Sequence, residues 1–173
     1  NGNMPKMLDG VTIYKSSYFY LDYLDITTPD VDGGYGVNVR GSHHTAITNC
    51  YIHDCGGNVN SSANIMIQHS EESLGPDKFG YHLIMNNLIT EEDTWSGIHS
   101  YSDIKGHTYY GIKMNYQPGG RTIIRGNTLW GMSDAISPAG NESENPVIGL
   151  DDNNILNTWW HQELDIYDNV IYH

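Results

Sequence analysis

The sequence predicts an all-β protein, a right-handed parallel β-helix (solenoid) of about six coils, and three observations predict it. Its 19 glycines and 13 tyrosines in 173 residues, with abundant Asn and Asp and short β-branched runs, suit short strands joined by polar turns. No window carries apolar residues at i, i+3, i+4 and i+7 as a helix requires. One six-residue pattern recurs along the chain: an aliphatic, any residue, two polar residues often Asn or Asp, any residue, an aliphatic. Recurrence of one short unit is the signature of stacked coils.

The copies are LDYLDI at 21–26, ITNCYI at 47–52, IMNNLI at 84–89, IRGNTL at 124–129, LDDNNI at 150–155 and IYDNVI at 166–171. Their fourth column holds Leu24, Cys50, Asn87, Asn127, Asn153 and Asn169. A stacked Asn can hydrogen-bond its own bend and the equivalent Asn one coil away. The column is therefore expected to form a ladder, with Cys50 and Leu24 as apolar substitutes at one end. The intervals of 26, 37, 40, 26 and 16 residues are uneven, which a solenoid tolerates because insertions leave the stack at turns.

A second element precedes most copies, a small residue followed by alternating aliphatics: GVTI at Gly10, GVNV at Gly36, ANIMI at Ala63, SGI at Ser96, YGIKM at Tyr110 and DAI at Asp134. Alternation sends Val37, Val39, Ile65 and Ile67 inward, and Asn38, Arg40, Met66 and Gln68 outward. Each coil thus has at least two strands. YGIKM reads either as a coil strand or as an extra strand within an insertion. Residues 1–173 read as one β-helix segment with repeats over roughly 9–171, and the strand-like ending IYDNVIYH leaves that segment without end caps.

A formal net charge of −13 with only eight Lys and Arg argues against nucleic acid, whose phosphates need clustered cations. No basic amphipathic stretch or membrane-length apolar run points to a bilayer. The acidity suits a secreted or cell-surface protein, a calcium-rich surface, or solubility alone. Cys50 and Cys55 lie too far apart on an extended path to bridge, so two buried free thiols are favoured over a disulfide.

The run GVNVRGSHHTAITNCYIHDCGGN from Gly36, followed by ANIMIQHS, resembles the repeats of right-handed β-helix carbohydrate-active proteins. That group contains pectate lyases, alginate and chondroitin lyases, epimerases and phage tailspikes. The resemblance implies an extracellular protein that binds or cleaves polysaccharide, with a lyase acting on an acidic polysaccharide as its enzymatic form. The GHG and RIK motifs of polygalacturonases and the DPHE motif of epimerases are absent, which argues against those two branches.

A lyase needs a cation to neutralise the uronate carboxylate, a base and an acid. Outward positions of the first strand column supply candidates on successive rungs: Arg40, His69, His99, Tyr101 and Lys113 for catalysis, with Gln68, Tyr110 and Trp130 for substrate. Glu91, Glu92 and Asp93 are the candidate calcium ligands, weighed against solvated loop charge. His43 and His44 suit a bend in GSHHT better than a metal, and no transition metal is expected at His53, Asp54 and Cys55. Surplus aromatics such as Tyr14, Tyr18, Tyr20 and Tyr23 suit sugar contacts and structural stacking equally. Uncapped ends raise an alternative function, a structural subunit that stacks end to end into an extracellular filament.

Overall fold

The computed structural model describes residues 4–28, 34–55, 62–68, 80–91, 110–115, 121–132, 134–137 and 163–172. After a leading strand β1 (Lys6–Met7), the first coil runs through β2 (Val11–Tyr14), β3 (Ser17–Asp22) and β4 (Asp25–Ile26). The second contains β5 (Tyr35–Arg40), β6 (His43–Thr48) and β7 (Tyr51–His53), and the third β8 (Ala63–Gln68), β9 (His82–Met85) and β10 (Leu88–Thr90). The fourth contains β11 (Tyr110–Asn115), β12 (Arg121–Arg125) and β13 (Thr128–Trp130), and the fifth β14 (Asp134–Ser137), β15 (Glu163–Tyr167) and β16 (Val170–Tyr172).

Equivalent strands pair in parallel into three sheets: sheet 1 is β2-β5-β8-β11-β14, sheet 2 is β3-β6-β9-β12-β15, and sheet 3 is β1-β4-β7-β10-β13-β16. The chain is an all-β parallel β-helix with three strands per coil. Inward residues stack in files: Val37 on Ile65 on Ile112, Ile47 on Ile84 on Ile124, and Ile52 on Ile89 on Leu129. All of these are buried, and each aliphatic removed from water contributes roughly 1.5–3 kcal/mol.

Every turn from sheet 2 to sheet 3 is a two-residue bend whose first residue has a left-handed backbone: Tyr23 (φ 58°), Asn49 (51°), Asn86 (57°), Gly126 (64°) and Asp168 (55°). This explains the paired polar residues of the repeat. Asn, Asp and Gly tolerate the left-handed region, and the residue after them builds the ladder.

In that ladder the Cys50 amide donates to Asn87 Oδ1 (2.9 Å), the Asn87 amide to Asn127 Oδ1 (3.0 Å), and the Asn127 amide to Asn169 Oδ1 (3.0 Å). Each Asn side-chain nitrogen donates back to the preceding rung, Asn87 to Ile47 O, Asn127 to Ile84 O and Asn169 to Ile124 O.

Among the described residues five coils of three strands follow β1, in keeping with the expected solenoid of about six. Asn169 sits directly on Asn127, and the copy at 150–155 with Asn153 lies outside the described residues. Of the two readings of YGIKM, the direct pairing of β8 with β11 selects the coil strand, and the segment at Ser96 lies outside the described residues.

Gly36 shows how tightly the inner corner packs: a Cβ there would lie 2.5 Å from Cys55 Sγ and 2.7 Å from Asn64 O. Both cysteines are free and buried, as expected. Burial raises the Cys50 thiol pKa and pushes Cys55 up to about 12. Neither forms the reactive thiolate at neutral pH. Iodoacetamide is therefore expected to leave both unmodified in the native protein and to alkylate both in urea, read by mass spectrometry.

Candidate functional site

The outer face of sheet 1 carries the residues singled out by the repeat pattern. Arg40 and Gln68 occupy adjacent rungs of one column, and Lys113 lies one rung further in the neighbouring column. Between them the face is closed. Met66 is buried with Ala63 and Tyr110 in a second apolar cluster, against which Tyr35 packs. Tyr110 is only 6% exposed and lies beneath Lys113 Nζ, 3.9 Å from its ring centroid. Little of that ring is left for a sugar. Gln68 Nε2 donates to Asn38 Oδ1 (2.8 Å), and Arg40 is exposed beside the Tyr14 ring.

His69, His99 and Tyr101 lie outside the described residues. Trp130 is exposed on sheet 3, a different face, with its ring 6.4 Å from that of Tyr172. Glu91 is buried at the turn leaving sheet 3, while Glu92 and Asp93 lie outside the described residues. Among the described residues no three His, Cys, Asp or Glu groups converge as metal ligands.

On sheet 3, His53 Nδ1 lies 2.6 Å from Asp54 Oδ2 and Nε2 lies 3.0 Å from Asp25 Oδ1, with Tyr51 stacked on the ring. Burial opposes the charged ring, but the hydrogen bonds to Asp54 and then Asp25 outweigh it and raise the pKa. Both nitrogens are engaged, so this histidine braces two rungs and has no ring atom open to a substrate. Cys55, two residues on, turns inward and its Sγ donates to His53 O (3.2 Å).

The outer face of sheet 2 is built differently, in three parallel columns. Its floor is Tyr20, Ala46, Leu83, Ile123 and Asp165 in register, aliphatic at the three middle rungs. One rim holds Asp22, Thr48, Met85, Arg125 and Tyr167 in the same register. The other holds Tyr18, His44 and Tyr81, each one residue past the matched positions Ser17, His43 and Gly80.

These last three residues have φ of 58°, 53° and 56°. A large aromatic in the left-handed region is an outlier costing of order 1 kcal/mol or more. Here three successive rungs adopt it at one register. The result is a file of rings, Tyr18 to His44 and His44 to Tyr81 both 4.7 Å between centroids and tilted 30° and 21°. Tyr18 is 76% exposed and Tyr81 48%, so the file offers polar ring edges along its length and one open face at Tyr18.

Charge divides the opposite rim. Asp22 Oδ1 accepts from Thr48 Oγ1 (2.7 Å) and Asn49 Nδ2 (2.7 Å), and these bonds hold its carboxyl below the usual carboxylate range. Arg121 is paired with Asp165. Arg125, by contrast, contacts neutral groups, Met85 Sδ (3.0 Å) and Tyr167 OH (3.3 Å). Among the described residues this exposed guanidinium has no carboxylate partner, on a face whose floor is aliphatic at its three middle rungs.

Sequence reasoning counted Tyr18 among surplus aromatics, assigned His44 to a turn and passed over Tyr81 and Arg125. A signal was available: Tyr18, His44 and Tyr81 each stand six residues before the ladder residues Leu24, Cys50 and Asn87, and Arg125 stands two before Asn127. The chain matches no protein-family model, no curated protein and no solved structure.

Proposed function

We propose that this β-helix binds an acidic polysaccharide along the outer face of sheet 2, as a secreted or cell-surface protein of the pectate lyase-like kind its repeats resemble. The observation that carries the reading is the strained aromatic file of Tyr18, His44 and Tyr81, beside an aliphatic floor. Apolar faces of sugar rings suit such a floor, and their hydroxyls suit polar rims. Arg125, without a counter-ion among the described residues, suits a carboxylate or sulfate substituent.

Calorimetry against acidic and neutral polysaccharides, with and without calcium, tests this. Arg125→Ala is expected to weaken binding of the acidic polymer about tenfold, or about 1.4 kcal/mol, and to leave neutral polymers unaffected. Tyr81→Asn keeps a residue suited to the left-handed backbone while removing the ring, and is expected to weaken both. Unchanged affinity in both variants would exclude this face. New ultraviolet absorbance from an unsaturated product would extend the reading to a lyase.

A further inference from the structure

Inward positions of sheet 2 next to the core isoleucines form a file that is not apolar. Thr122 pairs with His82, and the register of β6 on β9 sets Thr45 on its other side. All three side chains are buried, at 2%, 3% and 0% exposure for Thr45, His82 and Thr122. Among the described residues none of Thr45 Oγ1, His82 Nδ1, His82 Nε2 and Thr122 Oγ1 has a hydrogen-bond partner. The file is bounded by apolar residues, Phe19 beyond Thr45 and Leu164 beyond Thr122.

Leaving a buried polar atom unpaired costs about 1–3 kcal/mol, and four in one file would be a heavy burden on a small solenoid. Rungs lie roughly 4.8 Å apart, and unlike the asparagines of the ladder these three stacked side chains make no direct bond to one another. A bridging water with bonds of about 2.8 Å to each neighbour spans that gap. The chemistry also selects the ligand. A neutral imidazole has one N–H and one bare nitrogen, and each threonine hydroxyl both donates and accepts. A cation would leave the N–H without an acceptor, and an anion would leave the bare nitrogen without a donor. Water serves both.

We propose that Thr45, His82 and Thr122 form an internal hydration site, with ordered water bridging His82 to the threonine on either side within the solenoid core. Burial, reinforced by the nearby charges of His43 and His44, keeps the ring neutral by lowering its pKa to about 3, so it retains both a donor and an acceptor for the bridge.

The test is the sign of a stability change together with direct detection of water. Thr122→Val and Thr45→Val are nearly isosteric. In a hydrated file each loses a bridge and lowers the thermal midpoint; in a dry file each removes an unpaired hydroxyl and raises it. Water-to-protein magnetisation transfer is expected to reach the His82 ring protons in the wild-type protein. It should weaken in either valine variant. Raised midpoints in both variants, or a wild-type ring that receives no transfer from water, would overturn the proposal.

Discussion

Asn127→Leu is expected to lower the unfolding free energy by about 3 kcal/mol, measured as a shift of the urea midpoint at constant slope. Asn127 is fully buried, and its Oδ1 accepts from both the main-chain amide and Nδ2 of Asn87, while its own Nδ2 donates to Ile84 O and Asn169 Oδ1. Leucine fills the volume but strands the Asn87 amide and the Ile84 carbonyl away from water. The same change at Asn169, which is half-buried at the last described rung, is expected to cost less because water can replace the lost partners. Equal stability of Asn127→Leu and wild type would show that the ladder decorates the bends without holding them.

Acid is the second strong lever, through His82. Its folded pKa of about 3 lies below the ordinary 6.5, because burial opposes the charged ring and His43 and His44 add to that. Between these values the unfolded chain binds the proton and the folded chain does not, so stability falls as pH is lowered. At about 1.4 kcal/mol per pH unit, the loss reaches about 3 kcal/mol by pH 4. His53 acts in the opposite sense. Its raised pKa gives stability that is complete below its free value and lost as pH rises through the folded value. The comparison that isolates His82 is therefore His82→Phe against wild type at pH 7 and pH 4. The variant is expected to gain on the wild type as pH falls, and parallel pH dependence in the two would refute the assignment.

Much of the fold was legible because its determinants are local. A bend of constant length, with a residue tolerant of the left-handed region followed by an Asn, leaves the same trace in the sequence at each coil, and Cys50, Asn87, Asn127 and Asn169 were aligned on that trace alone. Which strand follows which in a parallel stack is set by pairing between distant segments, so the direct contact of Asn127 with Asn169 is encoded by no local pattern. Exposure escapes alternation for a related reason. Alternation marked Met66 and Lys113 as outward, yet outward on sheet 1 means buried for Met66. It means half-buried for Lys113.

What the amino-acid order determined by itself was the coil: the inward aliphatics, the left-handed bends and the Asn file, each a matter of side-chain period and backbone tolerance within a few residues. The tertiary structure alone decided which outer face is open, that Tyr18, His44 and Tyr81 share one file, and that a histidine lies between two threonines inside the core. These depend on register between rungs up to 47 residues apart in sequence, as from Ile65 to Ile112, and only the stacked backbone brings such residues within reach of one another.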